Sequence, residues 1–310
     1  IASRDLDKDG KTDIAVLDLS AREVILYKNT SSVGSLSFTD LLHLAVGAGP
    51  RSVAIGDLDG DGFLDLAVAG YSDNSIHLFH NNAAIGSLSY TPVPTILATG
   101  ANPNGIQVYD FDLDGKPDLA TVNSAGNSVS IFRNVSTLGN LGFSPKKDIV
   151  VGSTPFGFAI GDLDSNGKPD IVTADFDSNT ISVLENRSSL GTIDFTLVSS
   201  LAIAGNPSAV AIGDLDLDGK PDLALTTYSA GTVAMFRNIS APAAIDFSPL
   251  QSTVIGSSNG VTISDVNGDG NADLVVALYT DNKVSVFQNN SALGTLSLLP
   301  KVDYDTDRHP

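Results

Sequence analysis

The pattern Asp-x-Asp-x-Asp-Gly-x-x-Asp occurs six times in 310 residues, and its spacing constrains the fold more than any other feature of the chain. The copies occupy 5–13, 57–65, 110–118, 162–170, 214–222 and 265–273, and they start 52, 53, 52, 52 and 51 residues apart. The fourth copy has Asn166 in place of the third Asp and the sixth has Asn267 in place of the second. A chain of this length would ordinarily suggest two domains, but a repeat of this period makes the whole of 1–310 one array of six supersecondary units.

The rest of each unit recurs with the acidic run. An apolar stretch precedes it, as in Val53-Ala-Ile-Gly56 and Val210-Ala-Ile-Gly213, and a second follows it, as in Leu66-Ala-Val-Ala69. A third is Ile76-His-Leu-Phe79 or Val284-Ser-Val-Phe287, and a weaker fourth follows Phe38, Tyr90, Phe143, Phe195 and Phe247. These runs of four to eight residues are rich in Val, Ile, Phe and Thr and bounded by Gly, Asn, Asp or Pro, which predicts strands. No segment carries a helical period over ten residues or more. Four short strands per unit predict an all-β chain of six four-stranded antiparallel blades, a β-propeller that hides strand edges between neighbours. An open β-solenoid is the rival, and a part of a seven-bladed ring or longer array the alternative count. Pro310 aligns with Pro50 and Ile1 with Val53, so the six units are expected to be complete. Ile1 is neither an initiator Met nor the start of a signal peptide, and a mature or excised segment is expected.

Four oxygen-bearing side chains at alternate positions of a tight loop converge on one point. In order they are Asp5, Asp7, Asp9 and Asp13; Asp57, Asp59, Asp61 and Asp65; Asp110, Asp112, Asp114 and Asp118; Asp162, Asp164, Asn166 and Asp170; Asp214, Asp216, Asp218 and Asp222; Asp265, Asn267, Asp269 and Asp273. Gly at position 6 supplies the sharp turn. Position 7, occupied by Lys11, Phe63, Lys116, Lys168, Lys220 and Asn271, offers its main-chain carbonyl. Hard oxygen donors in this order follow the start of an EF-hand loop and suit Ca²⁺ better than Mg²⁺, which resists dehydration. The site departs from the EF-hand in closing on Asp at position 9, with no Glu at position 12 and no flanking helix. An Asp-Gly turn alone needs one Asp, not four, and four unneutralised carboxylates would repel. About six Ca²⁺, one per unit, are therefore expected, each pinning the hairpin between the first and second strands.

With Gly47-Ala-Gly-Pro50, then Val53-Ala-Ile-Gly-Asp57, then the acidic loop, and with the same order at Gly100-Ala-Asn-Pro103, Gly152-Ser-Thr-Pro155 and Gly205-Asn-Pro207, the chain resembles the FG-GAP (VCBS-like) repeats. These occur in integrin α-subunit propellers and in many bacterial secreted proteins. The resemblance covers the whole chain. It implies a β-propeller with Ca²⁺ in the first hairpin of each blade and a role in adhesion or ligand binding, the ligand meeting the face away from the cations. Integrin propellers have seven blades and carry the cation loop in only some, whereas all six units carry it here. The Phe-Gly element is poorly kept, Phe156-Gly157 being its clearest instance. Both departures favour a bacterial, extracellular or cell-surface protein over an integrin subunit.

Little else suggests chemistry. The chain has no Cys and no Trp, which excludes disulfides and thiol catalysis. His77 and His80 would point to opposite faces of a strand, so no joint site is expected of them. Gly256-Ser-Ser-Asn-Gly260 matches a nucleophile elbow only in letters, since it sits at the link between units with no helix after it. The repeats vary by one residue in length and leave no room for an inserted catalytic site, so the chain is not expected to be an enzyme. Asn29-Thr-Ser31, Asn134-Val-Ser136, Asn186-Arg-Ser188, Asn238-Ile-Ser240 and Asn289-Asn-Ser291 match glycosylation sequons, but their fixed place in the repeat points to a turn.

One register is enriched in aromatics. Six residues after the last loop Asp stand Leu19, Tyr71, Ser124, Phe176, Tyr228 and Tyr279, in the hairpin between second and third strands. The links between units, with Arg51, Asn104, Phe156, Ser208 and Gly260 at one register, fall at that same end. Arg51, Tyr71, Asn104, Phe156, Phe176, Tyr228 and Tyr279 are the candidate ligand residues, for a protein or glycan; their plainer role is to wedge between blades. The expected function is thus a non-catalytic, monomeric, Ca²⁺-stabilised propeller for adhesion or recognition. An accessory or catalytic domain of a polysaccharide-degrading enzyme and a structural spacer are the alternatives. A net charge of −19 argues against nucleic acid as a partner. The loops hold 22 of the 36 acidic residues, however, leaving 14 against 17 basic ones, so that exclusion is weakest on the face away from the loops.

Overall fold

A computed structural model describes residues 1–241 and 244–307, and in it every unit becomes one sheet. Blade 1 is β1 (Ala2–Arg4), β2 (Asp13–Asp18), β3 (Glu23–Asn29) and β4 (Phe38–Ala45). Blade 2 is β5 (Pro50–Gly56), β6 (Asp65–Gly70), β7 (Ser75–Phe79) and β8 (Thr95–Ala98). Blade 3 is β9 (Pro103–Tyr109), β10 (Asp118–Asn123), β11 (Ser128–Phe132) and β12 (Lys147–Val150). Blade 4 is β13 (Pro155–Gly161), β14 (Asp170–Asp175), β15 (Thr180–Asn186) and β16 (Phe195–Ala202). Blade 5 is β17 (Pro207–Gly213), β18 (Asp222–Thr227), β19 (Thr232–Asn238) and β20 (Phe247–Val254). Blade 6 is β21 (Ser258–Ser264), β22 (Asp273–Leu278), β23 (Lys283–Phe287) and β24 (Val302–Asp305). Within each blade the strands pair in sequence order and antiparallel, the meander of a β-propeller. The described residues contain strands and turns but no helix. The expected alignment of Pro310 with Pro50 falls outside the described residues.

By contact density the chain divides into two compact units, 1–149 with 189–193 and 150–188 with 194–310. In the first, Leu6, Val24 and Leu26 of blade 1 pack with Val53, Leu66, Val68 and Phe79 of blade 2. Leu58, Ile76 and Leu78 of blade 2 pack in turn with Ile106, Leu119 and Phe132 of blade 3. In the second unit Leu163, Val172, Ile181 and Val183 of blade 4 meet Val210, Leu223, Leu225 and Phe236 of blade 5. Leu215, Val233 and Met235 meet Leu274, Val276 and Phe287 of blade 6. Blades 2 and 5 thus pack on both faces within their own units. Every residue of β6, β10, β14 and β18 is buried, and the alternation of a half-exposed strand is lost.

The first strands run side by side at the closest approach between blades. Three of the stretches end in Gly, and space requires it: a Cβ on Gly213 would lie 2.6 Å from Ile263 Cγ2, and one on Gly161 would lie 2.9 Å from Ile212 Cγ2. The fourth strands are less regular than the sequence suggests. In blades 2 and 3 the expected starts, Tyr90 and Phe143, make only isolated bridges to Asn81 and Asn134. Pro92, Pro94, Pro145 and, in blade 6, Pro300 lie in or just before these strands, where a missing N–H breaks the ladder.

Candidate metal centre

The acidic loops join the first and second strands of each blade. Their backbone explains the residue order. Position 6 is Gly at φ between 82° and 91° in all six copies, and position 4 is also left-handed, including Lys8, Leu113, Ser165 and Leu217 at φ 58–64°. The second left-handed position carries no glycine signature in four copies and gives no sign in the sequence. Position 2 (Leu6, Leu58, Phe111, Leu163 and Leu215) is buried and anchors the loop, whereas its counterpart in blade 6, Val266, is half exposed.

The carboxylates at positions 1, 3 and 5 curl inward over main-chain N–H groups. In blade 3 Gly115 N donates to Asp110 Oδ2 (2.8 Å), Asp114 N to Asp112 Oδ1 (3.2 Å) and Lys116 N to Asp114 Oδ1 (3.0 Å). Position 9 has a different place from the other three. Asp118 is fully buried at the start of β10, where it accepts Phe111 N at 2.9 Å and Asn134 N at 2.7 Å. Asp13, Asp65, Asp170, Asp222 and Asp273 repeat this clamp with their own loops and third strands. Burial pushes the carboxyls of Asp65, Asp118 and Asp170 up to about 7 and that of Asp222 up to about 6, against the pull of these N–H donors. The position-9 side chain is thus a main-chain clamp as well as a candidate ligand.

Ligand oxygens come together as a cation requires. One atom each from Asp5, Asp7 and Asp13, from Asp57, Asp59 and Asp61, from Asp110, Asp112 and Asp118, and from Asp162, Asp164 and Asp170 lie within 4.8 Å of one another. Asp214, Asp216, Asp218 and Asp222 in blade 5, and Asp265, Asn267, Asp269 and Asp273 in blade 6, take the same loop positions. The all-oxygen donor set fits Ca²⁺. So does an unsatisfied atom: Asp164, 3% exposed, has a buried Oδ2 with no hydrogen-bond partner. The position-7 side chains point elsewhere. Lys116, Lys168 and Lys220 donate to the carbonyls of Ser136, Ser188 and Ser240, and the Phe63 ring receives Lys8 Nζ at 4.3 Å.

A register on the third strand also belongs to the site, and it escapes the motif. Arg133 places Nε 2.7 Å from Asp112 Oδ2 and Nη2 2.6 Å from Asp114 Oδ2. Arg237 does the same to Asp216 and Asp218 at 2.8 and 3.0 Å, and Lys28 to Asp7 and, at 3.4 Å, Asp9. His80 lies 2.9 Å from Asp59 and 3.4 Å from Asp61. The same register holds Glu185 in blade 4 and Gln288 in blade 6. As expected, His77 is elsewhere: its Nε2 meets Asp73 and Ser75, both at 2.9 Å. In the sequence the register is marked by position alone, since each of these residues directly precedes the repeated Asn of the sequon-like turn.

That Asn is buried. Asn134, Asn186, Asn238 and Asn289 are at most 1% exposed, each accepting the N–H of the Ser two residues on. The turn role expected of these tripeptides is the one they have.

At the other end of the blades the candidate ligand residues are partly brought together. Arg51 stacks its guanidinium on Tyr71 at 4.9 Å in the first unit. In the second, Phe156, Phe176 and Tyr228 form a row with ring centroids 5.9 and 6.1 Å apart, which ties blade 4 to blade 5. Asn104 and Tyr279 are half-buried at the equivalent registers, whereas Ser124 and Ser208 are buried, so variable side chains do not cover this end continuously.

Solved structures of low identity share the fold. BBS1N in complex with ARL6DN aligns at a TM-score of 0.62 and 16% identity, covering 96% of this chain and 81% of that one. A Bacteroides fragilis protein described as a candidate 6-phosphogluconolactonase aligns at 0.67 and 17%, covering 96% and 82%. The Pseudomonas aeruginosa periplasmic gluconolactonase PpgL aligns at 0.62 and 17%, covering 92% and 78%. These names correct the expectation that the chain is not an enzyme: proteins named as lactonases share its fold, so a regular propeller does not exclude catalysis. No curated protein matches the sequence. No described helix is long and apolar enough to cross a membrane. The model of the FG-GAP-like repeat matches at 5–68, 57–121, 110–173, 162–225 and 214–276, each match running from one acidic loop through the next, and the chain belongs to the FG-GAP-like repeat family.

Proposed function

We propose that the chain is a Ca²⁺-stabilised β-propeller for recognition at a bacterial cell surface or outside the cell. The observation that carries this is the unpartnered, buried Asp164 Oδ2 within a cluster of converging carboxylates. A buried carboxylate oxygen without a donor is costly, and a bound cation removes that cost. The position-7 carbonyls, from Lys11 to Asn271, would complete the coordination. The ion would hold the long first hairpin closed against the mutual repulsion of its carboxylates, leaving the opposite end, with Arg51, Tyr71, Phe156, Phe176 and Tyr228, to meet a protein or glycan. The propeller would act as a monomer.

Thermal unfolding in EDTA and after Ca²⁺ addition tests the first half. A ligand that binds only the folded state at about 100 times its Kd adds about 2.7 kcal/mol. The melting temperature should fall on chelation and return with Ca²⁺, and an unchanged curve would sink the proposal. Protein and polysaccharide arrays with and without Ca²⁺ test the second half. Cleavage of a polysaccharide would replace recognition by catalysis, and silence on every array would favour a spacer.

A further inference from the structure

The six loops share one motif but not one electrostatic environment. In blades 1, 3 and 5 the third-strand register supplies a base that spans the second oxygens of positions 3 and 5: Lys28 on Asp7 and Asp9, Arg133 on Asp112 and Asp114, Arg237 on Asp216 and Asp218. The first oxygens already hold main-chain N–H groups, which leaves the second oxygens to an ion or to the base. A divalent ion entering there must displace the base or share its carboxylates with a fixed positive charge.

Blade 4 inverts this arrangement. Glu185, 9% exposed, stands where the base stands elsewhere, and it is paired through Oε2 with Arg187 Nη2 at 2.7 Å. Asp164 Oδ2, the atom that Arg133 holds in its blade-3 equivalent Asp112, has no partner. The loop itself is less acidic, with Asn166 at position 5, and the carboxylate at this register is balanced by Arg187, which leaves Asp164 without a base. Blade 6 has a neutral carboxamide at the same register, Gln288, whose Nε2 donates to Asp269 Oδ2 at 3.5 Å.

We propose that this third-strand residue ranks the loops as Ca²⁺ sites, with blade 4 the tightest, blades 1, 3 and 5 the weakest, and the internal bases of the latter doing part of the ion's neutralising work. Affinity in oxygen-donor loops is tuned by ligand charge count and by rigidity, and an ion at blade 4 meets Asp164 Oδ2 free, whereas at blade 3 it must displace Arg133 from Asp112 and Asp114. The ranking rests on Ca²⁺ binding at the loops.

Calorimetric titration of the metal-stripped chain with Ca²⁺, with bound ions counted by native mass spectrometry, tests it. A single site should fill at least about tenfold more tightly than the blade 1, 3 and 5 sites. Glu185→Lys, which retains a long side chain, should abolish that first site while the melting curve in EDTA still shows a folded chain. Glu185→Gln should weaken it less. Arg133→Gln should tighten one further site. Six equal sites, or a first site untouched by Glu185→Lys, would overturn the ranking alone. No bound ion at any concentration would overturn the ranking and the calcium function together.

Discussion

The carboxamide of Asn134 donates to the main-chain carbonyl of Leu58, 2.8 Å away and one blade earlier, and with its other hydrogen to Pro117 O at 2.7 Å. One side chain thereby joins the acidic loops of blades 2 and 3. Asn81 reaches Leu6 O and Leu64 O in the same way, Asn238 reaches Leu163 O and Pro221 O, and Asn289 reaches Leu215 O and Ala272 O. Asn134→Ala leaves buried carbonyls without donors and should cost about 1–3 kcal/mol. Denaturant unfolding should show this loss, and a negligible one for the exposed Asn140→Ala. Equal effects would remove the staple.

Gly213 is a second point of contact between blades, and here the requirement is space. Gly213→Ala would press a methyl against Ile263 Cγ2, and overpacking of this kind costs about 1–3 kcal/mol. Ile263→Ala on that background removes Cγ2, the colliding atom, and should recover part of the loss. The double-mutant cycle should be non-additive, because the two residues share one contact. Additive effects would place the strain elsewhere.

Why were these contacts legible to different degrees? The loops announced themselves because their chemistry tolerates few residue types: oxygen donors at alternate positions and Gly at a left-handed turn. The all-β meander followed from Val, Ile and Phe runs bounded by turn residues. The third-strand register did not announce itself, because Lys28, His80, Arg133, Glu185, Arg237 and Gln288 share no chemistry and look like variable surface positions. Only the tertiary fold shows that Lys28, His80, Arg133, Arg237 and Gln288 each reach the loop of their own blade. The shortened fourth strands of blades 2 and 3 were visible in Pro92, Pro94 and Pro145, since a proline within an apolar run is evidence against a central strand.

The buried position-9 carboxyls predict a pH dependence. Asp65, Asp118 and Asp170 rise from 3.8 to about 7 and Asp222 to about 6 because burial disfavours their charged form. A group whose folded pKa lies above its unfolded one stabilises fully below the unfolded value and loses that contribution as pH rises through the folded value. In chelator, the melting temperature should therefore fall between about pH 4 and pH 8, most steeply near 6–7. Saturating Ca²⁺ should flatten this fall by favouring the ionised carboxylates. A metal-free protein that grows more stable from pH 5 to pH 8 would contradict the assignment.

The aromatic row separates structural from recognition roles by exposure. Phe176 lies between Phe156 and Tyr228, which contact it at 5.9 and 6.1 Å, so its ring helps to join blades 4 and 5. Phe176→Ala should cost about 1–3 kcal/mol from lost burial and ring contacts. Phe156 is 37% exposed and at the edge of the row, so Phe156→Ala should lower stability less. If this end recognises a ligand, Phe156→Ala should weaken binding beyond its effect on stability, because an aromatic face in a recognition surface contributes contact area at low entropic cost. Identical binding by wild type and Phe156→Ala, with Phe176→Ala acting only through stability, would confine the row to holding the blades together.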